Sequence, residues 1–203
     1  MEIVMKETER LNRIITDFLN FSHPNKNQST VVDMTQLVQD VITLMKNSDE
    51  YHSSLNIEFV SRDDHLLITG DEQQIKQIVW NLCINGIQAM SAGGLLRIYL
   101  ESVENFCHLN YQTSKPGLVL VVKDQGCGIL PDQMKKIFDT FYTTKPNGVG
   151  LGLATVQQVV GGMKGYIGVD SEVGKGARFT VFLPVVEPLF PVEKPVSAEI
   201  SPQ

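Results

Sequence analysis

Three amide side chains at helical spacing form the first candidate set for ligand chemistry. Asn81, Asn85 and Gln88 share one edge of a predicted helix, beside its apolar stripe, because residues three or four apart lie on one helix face. Amide oxygens suit a hard ion such as Mg²⁺, which prefers oxygen ligands and keeps several waters. The same spacing is also typical of a polar helix edge facing solvent, so the set alone leaves both interpretations open.

A carboxylate and two glycines directly after a predicted strand form a second set. Residues 124–129 read DQGCGI, with Asp124 first and Gly126 and Gly128 behind it. Glycines let the backbone approach a flat ligand closely, and a carboxylate can accept a hydrogen bond from an exocyclic amine such as that of adenine. Alone, this run is equally compatible with an ordinary strand-to-helix turn.

A glycine run at the start of a predicted helix forms a third set. Residues 148–152 read GVGLG, and the N–H groups and dipole of a helix start favour phosphate. The spacing matches neither the dinucleotide GxGxxG fingerprint nor the GxxxxGK[ST] phosphate loop, which disfavours both common nucleotide folds. The preceding residues 143–147 are a candidate mobile lid or a plain surface loop, in which Lys145 can reach a terminal phosphate.

The elements that must position these sets follow from hydrophobic periodicity. Predicted helices begin near Asp33 and Asp71, each with a glutamine three residues later as in a capping box, and a further helix covers residues 151–163. We also predict a short helix at residues 131–138 and a long hairpin loop at residues 102–117. Strand signals fall at residues 55–59, 66–68, 95–101, 118–123, 166–170 and 177–183.

This order of elements predicts an α+β fold. Strands joined by short turns indicate a mixed or largely antiparallel sheet, with helices on one face in a two-layer sandwich. We expect a helix at residues 1–24, whose apolar stripe needs a partner helix, then a linker at 25–31 and the main domain at 32–184. Residues 185–203 are proline-rich and lack periodicity, so we expect a disordered tail.

Composition excludes several classes of protein. Of 203 residues, 42% are hydrophobic and the net charge is −6, which disfavours whole-chain disorder and generic nucleic-acid binding. The sequence contains no apolar run near the roughly 18 residues of a membrane span. Three cysteines without a CxxC pair and four scattered histidines disfavour a disulfide framework and an imidazole-based metal site, and favour a cytoplasmic location.

Each set is ambiguous alone, but their order along the chain is specific. Residues 32–184 resemble the ATP-binding catalytic domain of bacterial sensor histidine kinases, with the GHKL (Bergerat) fold shared with gyrase. The opening residues 9–24 are similar to the second helix of a kinase dimerisation domain, and residues 141–146 (FYTTKP) to the nitrogen-regulation and zinc- or pilus-sensor kinases. The matching family motifs are the N box (Asn81 to Asn85), the first glycine box (124–128), the F box (Phe138 to Phe141), the second glycine box (148–152) and a third at 174–179.

The resemblance implies ATP and Mg²⁺ as cofactors and assigns roles by position. Asp124 would bind the adenine amine, Asn85 would hold Mg²⁺, and Asn81 would support the phosphates or the ion. Lys145 would act from the ATP lid, which makes Asn81, Asn85 and Lys145 the implied catalytic residues. The other implied nucleotide-binding residues are Gly126, Gly128, Ile129, Phe138, Phe141, Thr144, Gly148, Gly150, Leu151 and Gly152.

The family's phosphoacceptor is a histidine followed by an acidic residue, and here the followers are Pro24, Ser53, Leu66 and Leu109. We therefore expect a fragment without a membrane span that cannot phosphorylate itself. Its implied partners are the dimerisation and phosphoacceptor domain of the parent kinase and the receiver domain of a response regulator, not nucleic acid.

Three other functions fit the same resemblance. A hydrolytic GHKL ATPase would carry a glutamate where this chain has Asn81, which has no useful basicity. An anti-sigma-type serine kinase would not need the opening helix. A nucleotide-binding regulatory module is the last alternative. Two departures from the family pattern, Gly86 for alanine and Ala177 for threonine, leave nucleotide binding expected.

Overall fold

The computed structural model describes residues 29–107, 115–145 and 148–185. The helix predicted for residues 1–24 and the tail predicted beyond residue 185 lie outside this part of the chain. The helices are α1 (Met34–Lys46), α2 (Glu72–Ala89) and α3 (Gly152–Gly162). The strands are β1 (Thr30–Asp33), β2 (Leu55–Ser61), β3 (Leu67–Gly70), β4 (Gly94–Phe106), β5 (Lys115–Lys123), β6 (Tyr166–Glu172) and β7 (Gly176–Pro184).

A five-stranded mixed sheet forms the second layer of the fold. Its strand order is β2-β4-β5-β7-β6, in which β2 is parallel to β4 and the other neighbours are antiparallel. Strands β1 and β3 form a separate antiparallel pair. The predicted α+β class with a mixed sheet is confirmed.

The main hydrophobic core lies between this sheet and the helices. Strand β5 shows how the two faces separate, because side chains alternate along a strand. Leu118, Leu120 and Val122 join the core that contains the buried faces of all three helices. Val119 and Val121 belong to a different cluster, so the three helices cover one face of the sheet, as predicted.

The second hydrophobic cluster lies on the sheet face away from the helices. Phe182 is completely buried there, and its ring stacks on that of Phe106 with 4.1 Å between centroids. Tyr166 packs against the same cluster. Both faces of β5 and β7 therefore carry apolar packing.

The first two helices begin where their aspartates predict. Asp33 Oδ1 accepts hydrogen bonds from the backbone N–H groups of Thr35 and Gln36, which satisfies donors that the first turn leaves free. Asp71 does the same for α2. The cap of α1 is not a reciprocal capping box, since the side chain of Gln36 donates to Asp40 instead.

Three local expectations differ from the structure. The short helix predicted at residues 131–138 is a series of hydrogen-bonded turns. The loop predicted at residues 102–117 is shorter, because β4 continues to Phe106 and β5 begins at Lys115. Strand β1 begins at Thr30, inside the segment predicted as a linker, because it pairs with β3.

Candidate functional site

Helix α2 presents its amide side chains to the start of α3. Asn81 Nδ2 donates to the carbonyl of Gly152 at 3.2 Å. A Cβ at Gly152 would lie 3.7 Å from Asn81 and 3.8 Å from Asn85, in ordinary van der Waals contact, so the helix start lies beside both amides. The amide set and the glycine run thus form one locality, although 71 residues separate Asn81 from Gly152.

The start of α3 carries backbone donors suited to an anion. Leu151 occupies the N-cap position without a side-chain capping bond, which leaves first-turn N–H groups without that acceptor. Leu151 itself is buried and fixes the helix start against the protein interior. Gly150 has φ 75°, and a Cβ there would lie 2.4 Å from the carbonyl carbon of Phe141, so only glycine fits this turn.

Lys145 extends from the preceding loop to the amides of α2. Its Nζ donates to Asn85 Oδ1 and to Gln88 Oε1, each at 2.6 Å. Burial lowers the pKa of Lys145, while the nearby Cys127 and Asp124 act in the opposite direction. The ammonium therefore connects the amide set to the carboxylate set.

Asp124 is the buried carboxylate of the site, only 3% exposed. Its Oδ1 accepts from the backbone N–H groups of Gly126 (2.8 Å) and Ala177 (3.2 Å). Burial raises its pKa, and these two hydrogen bonds and the Lys145 charge only partly oppose that effect. Within the part of the chain that the structure describes, its Oδ2 accepts no hydrogen bond.

The loop after Asp124 is fixed against the β6–β7 hairpin. Gly128 has φ 72°, and a Cβ there would lie 2.2 Å from the carbonyl oxygen of Glu172. The Ser171 hydroxyl accepts from the N–H of Ile129 at 2.9 Å and donates to the carbonyl of Gly176 at 2.8 Å. This anchoring gives the carboxylate a fixed orientation.

The remaining predicted residues divide into packed and exposed ones. Ile129 and Phe138 are partly buried against the main core. Phe141, with φ 68°, donates its N–H to the carbonyl of Gly150 at 2.9 Å, yet its side chain is 60% exposed. Thr144 is also exposed.

Two glycines of the predicted set lie in close contacts. A Cβ at Gly126 would be 2.6 Å from the carbonyl oxygen of Ala89. A Cβ at Gly148 would be 2.4 Å from Thr143 Oγ1.

Sequence reasoning did not identify two contributors to this site. The backbone N–H of Ala177 fixes Asp124, but a main-chain donor has no side-chain signature. Ser171 joins two loops and has no motif around it. Gln88 belongs to the predicted amide set because of its helical spacing from Asn85, but the sequence predicts no specific role for it.

The donor set fits a magnesium–nucleotide complex. Asn85 Oδ1 is an amide oxygen that already accepts from a cationic group, and Mg²⁺ is usually bound by few protein oxygens together with phosphates and waters. The described residues contain no cluster of three histidine, cysteine or acidic side chains that could hold a metal ion. Asn85 could supply a protein oxygen to such an ion. Within the same residues, no helix has the length and apolar character of a membrane span.

Comparisons with known proteins show the family of this chain. The family described as histidine kinase-, DNA gyrase B-, and HSP90-like ATPase matches residues 70–187. The signal transduction histidine-protein kinase AtoS of Escherichia coli (strain K12) is 35% identical over 187 residues, covering 91% of this chain and 29% of AtoS. The chain therefore spans less than a third of that relative.

Two solved structures share the fold. The mycobacterial sensor histidine kinase MprB has a TM-score of 0.62 at 27% identity, covering 77% of this chain and 97% of the MprB chain. Full-length ShkA, solved in complex with AMPPNP, has a TM-score of 0.69 at 26% identity, covering 92% of this chain and 39% of ShkA.

The family match covers more than half of the chain, and it includes every residue set that the structure brings together around Asp124 and Asn85. The expected α+β sandwich is the fold of the solved kinases. This chain belongs to the histidine kinase-, DNA gyrase B- and HSP90-like ATPases, as an ATP-binding catalytic domain of the histidine kinase type.

Proposed function

We propose that this domain, residues 32–184, binds Mg·ATP and transfers the γ-phosphoryl group to a histidine on the dimerisation domain of a parent kinase. The observation that carries the proposal is the state of Asp124. One oxygen is fixed by two backbone donors, and the other accepts nothing from the described residues. Because this unpaired oxygen is not sealed from solvent, it can accept a hydrogen bond from the exocyclic amine of adenine.

The other sets supply the remaining functions. The start of α3 would bind phosphate oxygens through its backbone N–H groups. Asn85 Oδ1 would hold Mg²⁺, which supplies charge neutralisation when bound, and Asn81 would keep α2 in register with the phosphate-binding helix start. Lys145 adds positive charge beside them. Phosphoryl transfer requires mainly positioning and charge stabilisation, which these groups provide.

The remaining predicted nucleotide-binding residues have supporting roles in this proposal. Gly126, Gly128 and Ile129 shape the loop beside adenine, and Phe138 supports that loop from the core. Phe141 and Thr144 border the phosphates from the exposed side. The run Gly148, Gly150, Leu151 and Gly152 lets the backbone approach the phosphate oxygens.

In the proposed reaction, a ring nitrogen of the acceptor histidine attacks the γ-phosphorus. The bond between that phosphorus and the oxygen bridging to the β-phosphate breaks, ADP leaves, and the imidazole proton passes to solvent. Transfer is favoured over hydrolysis because position 81 holds an amide, which cannot activate water as a base. In the parent protein, a response-regulator aspartate would receive the phosphoryl group, and the domain would lie in the cytoplasm.

Calorimetry with ATP and ADP, with and without Mg²⁺, tests the binding step. We expect Mg²⁺-dependent binding that Asp124→Ala removes while the variant stays folded. Absence of binding by the folded unsubstituted chain would refute the proposal.

Radiolabelled ATP tests the transfer step. Label should appear on a separately supplied dimerisation domain carrying its histidine, and not on this chain alone. Release of inorganic phosphate without an acceptor would instead indicate a hydrolytic ATPase.

A further inference from the structure

Asn85 Oδ1 is a candidate partner for two different cations, the Lys145 ammonium and Mg²⁺. It accepts a hydrogen bond from the Lys145 ammonium at 2.6 Å, and it is the oxygen that would hold Mg²⁺ under the proposed function. The same ammonium donates to Gln88 Oε1 at 2.6 Å, so it lies between two amide oxygens one helical turn apart. Gln88 is exposed, and no role has been assigned to it so far.

The ammonium and the ion would compete for this oxygen. Mg²⁺ needs near-octahedral ligands at about 2.0–2.1 Å and is reluctant to lose water. A lysine ammonium 2.6 Å from the same oxygen draws on the electron density that the ion would use and stands close to the waters that the ion would keep. The positive charges of the ammonium and of the ion would also repel each other if both bound this oxygen.

The contacts that hold the ammonium are separate from the one that holds the Lys145 backbone. The backbone N–H of Lys145 donates to Thr143 Oγ1 at 3.1 Å, which fixes the start of the side chain. The amide of Gln88 contributes the second of the two contacts that hold the ammonium. Loss of that contact leaves Asn85 as the remaining acceptor.

We propose, on the basis of the proposed function, that Lys145 is a tethered cation that competes with Mg²⁺ for Asn85, and that Gln88 is the positioning residue that sets the strength of this competition. Ion binding at Asn85 then requires the ammonium to leave both amides. Once the ion is in place, the displaced lysine can reach the γ-phosphate oxygens of ATP, which couples metal binding to the placement of the second positive charge.

The first test measures the advantage that Mg²⁺ gives to ADP binding, as the Kd in chelator divided by the Kd in Mg²⁺. ADP has no γ-phosphate, so contacts of Lys145 with that group do not enter. Because hydrogen bonds to a charged group are among the stronger ones, we expect Lys145→Met to raise this ratio about tenfold and Gln88→Leu about threefold. An unchanged or lowered ratio in Lys145→Met overturns the competition.

A double-mutant cycle separates positioning from a structural role of Gln88. If Gln88 acts through Lys145, the double variant should show the ratio of Lys145→Met alone, within about twofold. A further rise in the double variant would show that Gln88 acts independently of Lys145 and would overturn its assignment. Thermal unfolding of each variant confirms that the domain remains folded.

A second readout needs no nucleotide. Paramagnetic Mn²⁺ alone should broaden the Asn85 side-chain amide signal in NMR spectra, and at lower Mn²⁺ concentration in Lys145→Met than in the unsubstituted chain. Equal concentrations in the two proteins overturn the inference whatever ADP does. Failure of ADP binding together with a shifted Mn²⁺ titration would instead refute the proposed nucleotide site and leave the competition standing.

Discussion

At the scale of single residues, Asp124 combines two properties that usually oppose one another. It is nearly inaccessible to solvent, which raises its pKa, yet two backbone N–H groups stabilise its charged form. The charged carboxylate is the form that accepts from an amine. Nucleotide binding should therefore weaken as the pH falls through a pKa above the ordinary value of 3.8.

Asp124→Asn should weaken nucleotide binding without loss of stability. The amide oxygen can still accept from Gly126 and Ala177, and the cost of burying a charge disappears. The amide N–H₂ would then face the adenine amine, donor against donor, and we expect a 10- to 100-fold rise in Kd, since such bonds contribute about 1.5–3 kcal/mol. Calorimetry and thermal unfolding measure both quantities. The exposed Asp49→Asn is the control, and a variant that binds ATP normally would contradict the assignment.

Alanine substitutions at two glycines, Gly128 and Gly174, can distinguish the cost of backbone strain from the cost of a steric clash. Both have positive φ, 72° at Gly128 and 78° at Gly174, but a Cβ at Gly128 meets the Glu172 carbonyl whereas one at Gly174 meets nothing within 4 Å. We expect Gly174→Ala to cost about 1–2 kcal/mol of unfolding free energy. Gly128→Ala should cost about 1–3 kcal/mol more because backbone must move. Urea titrations with equal losses for the two variants would show that the predicted conflict is absent.

At the scale of elements, the starts of α1 and α2 can be predicted from neighbouring residues in the sequence, whereas the contacts of the site cannot. Asp33 and Asp71 mark helix starts because a side-chain cap acts within three residues. The turns at residues 131–138 resemble a helix in sequence but do not continue as one. The convergence of Lys145 on Asn85 joins residues 60 positions apart, which no local pattern encodes. The order of the motifs predicted the site's composition, but only the fold shows its contacts.

The cap of α1 should make stability depend on pH. His65 donates to Asp33 Oδ2 at 2.7 Å, and this bond raises the pKa of His65. Burial acts to raise the pKa of Asp33, but hydrogen bonds from His65 and the backbone outweigh it and lower that pKa. The contribution of His65 is therefore complete below about pH 6.5 and lost as the pH rises through its higher folded-state pKa.

The urea midpoints of the unsubstituted chain and of His65→Ala should accordingly differ at pH 6 and converge by pH 8.5. Asp33→Ala should lose the same dependence and, in addition, about 1 kcal/mol at both pH values, because it also removes the cap. A constant difference between His65→Ala and the unsubstituted chain across this range would rule out the ion pair as its cause.

At the scale of the whole molecule, the sheet is packed on both faces but covered by helices on one. Alternation along β5 predicts a strand with apolar side chains on both faces. The sequence does not show that Phe106 and Phe182 stack on the face away from the helices, because β5 lies between their strands β4 and β7. The small cluster shares strands with the main core. Its loss should therefore weaken the whole domain.

Phe182→Ala should lower the free energy of unfolding by about 3–5 kcal/mol, as is usual for a buried phenylalanine. We expect one cooperative transition, with far- and near-ultraviolet circular dichroism coinciding. Tyr99→Ala, at a side chain 38% exposed, is the control and should cost far less. Two separate transitions in Phe182→Ala would show that the second hydrophobic cluster unfolds independently of the main core.

The bond between Asp124 and Ala177 joins residues 53 positions apart, at the end of the β5–β7 ladder. Such distant pairing is slow to form, because long loops must close first. The nucleotide pocket should therefore be absent from the folding transition state. Saturating Mg·ATP would then leave the refolding rate constant unchanged and slow unfolding by its full effect on stability. Stopped-flow measurements should show this asymmetry, and faster refolding with nucleotide would place the pocket early. ATP would thus prolong the lifetime of the folded domain without helping it to form.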